Sequence, residues 1–355
     1  MTPPETPSAL LPEGGNASGR AEPDPRRSLG KTIVAYDRRR AVLAAAVLPL
    51  ALAACTRPAP PALRIGTNVW IGSEPLYLAR ELGKLDAVQV QLVEYPSASE
   101  VLRAYRNQAI DGMVISLDEL FTLAADGFDP RVVLVVDVSH GADAVVGRAG
   151  MKTMRDLAGK SVAVEGGALG AYMLSRALAL SGMQAGDVKV VHLESNEQPA
   201  AFEKGQVDAA VTFDPYRTKL LRAGGQTLFD STGIPGEIVD LVAVRKGMLD
   251  ERPSSVAALL GGWFGAVDFM RADPIDAARR MGIRQQTNAE QFLEAQRGLH
   301  VPTRDENMAM LGGATPALAA SGRRLMTLML EAKLLRAGVD IESLLAPGPL
   351  RQLPR

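Results

Sequence analysis

The chain has 355 residues, a formal net charge of −1 at pH 7 and a hydrophobic content of 47%. This length exceeds one average domain, so two lobes are expected, and the apolar content suffices for sizeable cores. The near-neutral charge, without a basic patch interleaved with aromatic residues, argues against nucleic acid as a partner. One cysteine and three histidines exclude an intrachain disulfide and argue against a zinc site, so no metal or other cofactor is predicted.

The N-terminal part of the chain carries an export pattern. Residues 1–35 are rich in Pro, Gly, Ser and charge, which predicts disorder. Residues 36–55 combine three arginines, an apolar run too short for a bilayer of about 30 Å, and Leu-Ala-Ala before Cys55. This pattern resembles a bacterial lipoprotein signal peptide, which implies that Cys55 is acylated and becomes the mature N-terminus. The Pro-rich residues 56–62 are typical of an extended tether.

Residues 64–83 form a strand–loop–helix unit around which the rest of the chain is organised. A β-like run at 64–67 is followed by a bend at 70–73 and a helix. Ser73 is predicted to cap the helix through its hydroxyl, and Gly83 to end it. A loop that leads from a strand into a helix N-terminus is suited to hold a small polar ligand.

The unit recurs later in the chain. Residues 160–182 repeat the strand, a Gly-rich bend and an apolar helix, and residues 107–112 are echoed by 204–209. Each echo leads into an apolar strand and then an acidic loop. Two similar α/β halves in one chain predict an interface with a cleft between them.

Strands and helices alternate through 64–138 and again through 157–230, which predicts mostly parallel sheets with helices on both faces. Residues 238–245 are expected to cross back. Helices are predicted at 254–271, 274–281, 289–298, 304–311 and 316–338, covering the first lobe. The predicted division assigns 63–138 and 243–355 to the first lobe and 139–242 to the second.

With these motifs, the chain resembles the substrate-binding lipoproteins of bacterial ABC importers, in the nitrate/sulfonate/taurine (SsuA/THI5-like) group. The resemblance lies in residues 64–83, 107–119, 211–216, 262–269 and 273–274, and extends over about 62–345. It implies a type II periplasmic-binding fold with two doubly wound lobes joined by two crossings. It also implies a monomer, lipid-anchored in the periplasm or at the cell surface, that docks onto an ABC permease driven by a separate ATPase.

In such lobes, ligands meet the loops at the carboxyl ends of the strands. The residues predicted to bind the ligand are Asn68, Trp70, Glu74, Ser97, Ser99, Ser116, Asp118, Asp137, Glu165, Gly167, Ala168, Asp214 and Tyr216. Trp70 could instead be a core residue, and Ser97, Ser99, Asp118 and Asp214 could serve only as helix caps. Glu165 is harder to assign to structure alone, because a carboxylate that ends a buried strand needs a partner.

The loops predicted to surround the ligand are acidic. Their carboxylates are Glu74, Asp118, Asp137, Asp143, Glu165 and Asp214, and Arg217 is the one arginine nearby. Arginine is the usual bidentate partner of sulfonate or carboxylate, so its scarcity favours a cationic or neutral polar solute over a sulfonate. Serine hydroxyls and helix N-termini leave an anion open.

Two other functions remain as alternatives. One is a lipoprotein that senses a solute and reports to a membrane receptor. The other is an enzyme resembling the pyrimidine synthases that share the fold, although the sequence pairs no nucleophile with a base and has no Walker-type loop. A solute-binding protein that is not an enzyme is therefore the favoured interpretation.

Overall fold

The computed structural model describes residues 61–354. The predicted disordered segment 1–35, the signal peptide 36–55 with Cys55, and all but the end of the tether 56–62 lie outside the described residues. Where the described part begins, Arg252 Nη1 donates to the carbonyl oxygens of Pro61 (2.6 Å) and Ala62 (2.9 Å). Within 61–354, no helix combines the length and the apolar character needed to cross a membrane.

Strands and helices alternate along the described chain. The strands are β1 (Leu63–Asn68), β2 (Val90–Tyr95), β3 (Gly112–Ser116), β4 (Pro130–Ser139), β5 (Ala144–Gly147), β6 (Ser161–Val164), β7 (Lys189–His192), β8 (Ala209–Thr212), β9 (Gln226–Asp230), β10 (Val239–Arg245) and β11 (Leu299–His300). The helices are α1 (Glu74–Glu81), α2 (Ala98–Arg106), α3 (Leu117–Ala125), α4 (Ala168–Leu180), α5 (Gln198–Glu203), α6 (Tyr216–Arg222), α7 (Met248–Glu251), α8 (Pro253–Ala272), α9 (Pro274–Arg284), α10 (Ala289–Gln296), α11 (Arg304–Leu311), α12 (Ala317–Glu331), α13 (Ile341–Leu344) and α14 (Gly348–Gln352).

Two separate sheets divide these elements. The six-stranded sheet has the order β11-β4-β10-β3-β1-β2, and the five-stranded sheet has the order β7-β6-β8-β5-β9. We call the six-stranded sheet with α1–α3 and α7–α14 the first lobe, and the five-stranded sheet with α4–α6 the second lobe. Each sheet has a parallel trio, β2-β1-β3 in one and β7-β6-β8 in the other, followed by an antiparallel strand.

The antiparallel strand in each sheet belongs to a crossing between the lobes. The chain leaves the first lobe through β4 into β5, and it returns through β10, which lies between β3 and β4. The two crossings touch each other, because the buried hydroxyls of Ser139 and Ser231 lie 2.7 Å apart. Arg176 in α4 also binds Glu237 just before β10, with distances of 2.7 and 2.9 Å. The expected fold, two doubly wound lobes on a two-crossing hinge, is confirmed.

The cores of the two lobes differ in size. One continuous cluster fills the first lobe and includes the C-terminal helices, with Trp263 of α8 fully buried. In the second lobe, two smaller clusters pack around the sheet. The C-terminal helices are joined to the first sheet by polar contacts too, since Asn307 of α11 exchanges hydrogen bonds with the backbone of Val135 in β4 (2.7 and 3.1 Å). The expectation that these helices cover the first lobe is confirmed.

Two local predictions are wrong. Ser73 occupies the N-cap position of α1, but its hydroxyl makes no capping bond, because a 3-10 turn at Ile71–Ser73 places Ser73 in helical conformation. The helix predicted over 316–338 ends at Glu331, where Lys333 takes a positive φ of 58° that breaks the helical path.

Candidate functional site

The carboxyl ends of the parallel strands of both sheets face a shared cavity. Its walls come from the loops after β1, β3, β6 and β8 and from the crossing strand β10. Lining residues that carry polar groups or rings are Asn68, Trp70, Ser116, Glu119, Asp143, Glu165, Thr212, Phe213 and Asp240. None of the described residues that line this cavity is arginine, lysine or histidine.

Trp70 forms the aromatic wall of the cavity. It follows β1, its side chain is 5% exposed, and it contacts Phe213 of the second lobe edge to face, with ring centroids 5.1 Å apart. A Cβ added at Gly72 would overlap both Trp70 Nε1 and Asp137 Oδ2, so the glycine is needed for their close approach. Trp70 is therefore both a core residue of the first lobe and part of the cavity wall.

Asp137 and Asp240 face each other on neighbouring strands β4 and β10. Burial raises the pKa of Asp137 to about 7, and burial together with Asp137 raises the pKa of Asp240 well above its ordinary value. Asp143, which follows the crossing, has a pKa raised to about 6 by burial, while Arg217 acts in the opposite direction. Two facing carboxyls in a desolvated site cannot both ionise cheaply, so we expect the pair to retain a proton near neutral pH.

Two further carboxyl side chains, Asp118 and Glu119, lie at the N-terminus of α3. Glu119 Oε2 accepts from Ser116 N (3.3 Å), and burial followed by repulsion from Asp118 raises the pKa of Glu119 to about 8. Burial raises the pKa of Asp118 to about 6. The other oxygen of Glu119 lies against the second lobe, where a Cβ added at Gly167 would be 2.6 Å from Oε1.

Glu165 makes the direct polar contact across the cavity. It follows β6 in the second lobe, and its Oε1 accepts from Ser99 N (2.9 Å) and Ser99 Oγ (3.2 Å) in the first turn of α2. Burial raises its pKa, whereas donation from Ser99 opposes that rise. The side chain is 7% exposed.

The structure brings together only part of the predicted set. The predicted residues that line the cavity are Asn68, Trp70, Ser116, Glu165 and Gly167. Ser99 contacts Glu165, Asp118 and Asp137 lie buried beside lining carboxyls, and Tyr216 packs on Phe213 at 5.8 Å. Ala168 is the first residue of α4.

Three predicted residues are engaged elsewhere. Glu74 is buried against Gln285 (2.6 Å) and Arg284 (3.1 Å) of the α9 end, and burial raises its pKa to about 7. Ser97 accepts from Glu100 N as the cap of α2. Asp214 accepts from Thr218 N (3.1 Å) and Oγ1 (2.5 Å) at the start of α6, so these contacts are those of helix ends.

Sequence reasoning left other lining residues out of the binding set: Glu119, Asp143, Thr212, Phe213 and Asp240. Asp143 belongs to the predicted acidic loops and the polar crossing, and Phe213 belongs to the matched motif 211–216 and to the acidic loop that follows the second echo. Asp240 gave no local signal, because it lies inside an apolar strand. Arg217 donates to the carbonyl of Gly141 near the crossing and does not line the cavity.

Comparison with known proteins is consistent with this geometry. The family model for the NMT1-like family matches residues 56–283. The chain belongs to the NMT1-like family. One relative of this NMT1-like chain is an aliphatic sulfonates-binding protein, so named, of Escherichia coli (strain K12). It is 32% identical over 183 residues, which cover 49% of this chain and 56% of that relative. The chain thus spans about half the length of the curated relatives it matches.

Solved structures share the fold of this NMT1-like protein at low sequence identity. The alkanesulfonate-binding protein SsuA of Xanthomonas axonopodis pv. citri, bound to MOPS, superposes with a TM-score of 0.67 at 21% identity, covering 79% of this chain and 96% of that one. The desulfurization enzyme DSZB superposes with a TM-score of 0.61 at 16% identity, covering 81% of this chain and 97% of the enzyme. The periplasmic-binding fold therefore supports both binding proteins and an enzyme, and the site has to decide between them.

Proposed function

We propose that this protein captures a small polar solute between its two lobes outside the cytosol and delivers it to an ABC permease. Support comes from the cavity between two sheets that a pair of crossings connects in the described chain, which is suited to hinge closure. Closure is driven by the difference in solute affinity between the open and closed forms. The names of the sulfonate-binding relatives agree with this class of function.

We infer that the solute is cationic or neutral and polar rather than a sulfonate. The observation that carries this inference is the lining, in which Glu119, Asp143, Glu165 and Asp240 are present and no described basic residue accompanies them. A bound cation would neutralise carboxyl groups that are costly to ionise in a desolvated site. The Trp70–Phe213 pair adds an aromatic wall on which a flat or cationic group could pack.

Binding rather than catalysis is the proposed role. The described lining contains neither cysteine nor histidine, and the hydroxyl of Thr212 has no hydrogen-bond partner that could act as its base. Incubating the protein with the identified solute and analysing it by mass spectrometry should return the solute unchanged. Stoichiometric or catalytic conversion would contradict this role.

The solute itself can be identified on purified protein. Denaturing the protein and analysing the released small molecules by mass spectrometry should yield a cationic or neutral polar compound, and that compound should raise the melting temperature. A thermal-shift panel of amines, pyrimidines, taurine and alkanesulfonates provides the comparison. Stabilisation by the sulfonates alone would contradict the proposed solute class, and stabilisation by no small solute would contradict solute capture.

We also propose that Cys55 carries a lipid anchor that holds the protein at a bacterial membrane, in the periplasm or at the cell surface. Labelling with a radioactive fatty acid should mark the wild-type chain, and Cys55→Ser should lose the label and move to the soluble fraction. Two acyl chains are needed for stable anchoring, so the loss should be nearly complete. An unlabelled wild-type chain would contradict the proposal.

A further inference from the structure

The first turn of α2 opens on the cavity, and its hydrogen-bond donors can bind a negatively charged group. Ala98, its first residue, lines the cavity, and Ser97 caps the helix through its side chain. Backbone N–H groups in a first helical turn favour anions, both as donors and through the helix dipole. Here the amide and the hydroxyl of Ser99 point to one acceptor.

That acceptor is Glu165 of the opposite lobe. Its Oε1 lies 2.9 Å from Ser99 N and 3.2 Å from Ser99 Oγ, and the side chain is 7% exposed. The residues are separated by 66 positions and by the cavity between the sheets, so the contact exists only when the lobes approach. The Glu165 carboxylate therefore occupies the hydrogen-bond donors of Ser99 that a sulfonate or carboxylate solute could otherwise use.

A hydroxyl of the cavity is also available to a solute. Thr212 Oγ1 has no hydrogen-bond partner among the described residues, and Thr212, which is 1% exposed, lines the cavity with Glu165. Trp70 Nε1 is engaged on the opposite wall, where it lies close to Asp137 Oδ2. A buried hydroxyl without a partner is costly, so Thr212 indicates that the cavity receives a polar ligand.

We propose that Glu165 is the residue that excludes anionic solutes, because its carboxylate occupies the N-terminus of α2 and places a negative charge in the cavity that the unpartnered hydroxyl of Thr212 also lines. This proposal rests on the proposed function, solute capture between the lobes, and assigns the selectivity of that site to one side chain. Glu119, another lining carboxyl, contributes less, because burial raises its pKa to about 8 and it is largely neutral at pH 7.

The test compares two probes with the same carbon chain, ethanesulfonate and ethylammonium, by isothermal titration calorimetry at pH 7. Glu165→Ala should gain at least about tenfold in ethanesulfonate affinity and lose ethylammonium affinity, since a like charge is removed and an anion site is freed. Glu165→Gln keeps the shape and removes the charge, so it should gain in the same direction and replaces the alanine variant if that variant is unfolded.

Two further variants make the result specific to this contact. Adding Ser99→Ala to Glu165→Ala should reverse part of the gain in ethanesulfonate affinity, because one of the two donors is lost. Glu203→Ala, which removes an exposed carboxylate of the same lobe, should change neither affinity. Unchanged ethanesulfonate affinity in both Glu165 variants overturns the proposal, even where wild-type protein binds ethylammonium and solute capture stands.

Discussion

Asp111 in the first lobe and Asp208 in the second hold equivalent places, each just before the last strand of the parallel trio of its sheet, β3 and β8. Asp111 Oδ2 accepts from Arg64 N at 2.9 Å, and Asp208 Oδ2 accepts from Ser161 N at 2.9 Å. Each contact spans 47 residues. The same side chain type therefore joins the start of β1 to β3 and the start of β6 to β8, which gives the internal repeat a structural cause.

A second pair of residues extends the comparison. Arg245 in β10 stacks over Tyr105 at 4.0 Å and donates to the carbonyl of Ile110. Its counterpart Arg148 follows β5, stacks over Phe202 at 4.7 Å and donates to the carbonyl of Val207. Both arginines lie at the end of the antiparallel strand that each lobe receives from a crossing, so the two crossings complete the two copies in the same way.

The copies differ where they face the cavity. After β1 the chain presents Trp70 and Gly72, whereas after β6 it presents Glu165 and Gly167. The repeated parts satisfy backbone groups that both sheets share, and the divergent parts line the cavity. A duplicated scaffold thus provides two unlike walls for a single site.

The largest expected effect is on stability, where substitutions of Asp111 and Asp208 should differ. Asp111→Ala should destabilise the protein by about 3 kcal/mol, because the carboxylate also accepts from the Arg64 side chain (3.0 and 2.8 Å) and lies 3.7 Å from the more buried Arg252. Asp208→Ala should cost about 1.5 kcal/mol, since it loses only Ser161 N and Oγ. Urea unfolding gives both values, with exposed Asp268→Ala as the control. Equal losses would show that the two junctions are energetically the same.

The next effect is on the pH dependence of stability, which should differ between Asp111 and Asp208 on one side and the cavity carboxyls on the other. Arg64 and the Ser161 amide hold the pKa values of Asp111 and Asp208 below their ordinary values, so their stabilisation is lost only as the pH falls through the acid range. Burial raises the pKa values of Asp118, Asp137 and Asp143 to about 6 or 7. Their folded forms bind more protons than the unfolded chain, so stability should fall as the pH rises from about 5 to about 8.

Urea unfolding at pH 5 and pH 8 measures this fall, for which we expect about 2 kcal/mol without added solute. Asp240→Asn should reduce it, because one carboxyl with a raised pKa is removed from the pair with Asp137. Glu119 and Glu165 face the same cavity and should continue to contribute a fall of the same sign. Stability that rises steadily to pH 8 would contradict this assignment.

A smaller effect concerns the aromatic wall. Trp70→Ala should weaken binding of the co-purified solute about tenfold, because the edge-to-face contact with Phe213 and the wall itself are lost. Trp263→Phe, at the other tryptophan, should lower stability and leave the affinity unchanged, since Trp263 is buried in the first-lobe core. Calorimetry and thermal unfolding distinguish the two. Equal affinity losses would place the solute outside this cavity.

The smallest effects come from the two loop glycines. Gly72→Ala should reduce solute affinity about fivefold, because its Cβ would displace Trp70 Nε1 and Asp137 together. Gly167→Ala should reduce it about twofold, since its Cβ meets only the end of the Glu119 side chain, which can move. Calorimetry with the same solute orders the two variants, and the reverse order would show that the second-lobe loop is the tighter wall.

The sequence by itself determined the elements, the repeat and the ends of the strands. Hydrophobic periodicity and turn residues are local properties, so they located β1, α2 and α3 and placed Trp70, Ser116 and Glu165 at strand ends. Those positions line the cavity because the carboxyl ends of parallel strands meet at one edge of a sheet.

Only the tertiary structure decided which of these side chains face one another. Glu74 lies at a helix start that sequence reasoning treated as part of the site, yet Gln285, 211 positions away, binds it elsewhere. Asp240 sits in an apolar strand, and only the return of β10 between β3 and β4 brings it opposite Asp137. Contacts between side chains far apart in the sequence depend on how the lobes and crossings pack. Local residue patterns do not specify that packing.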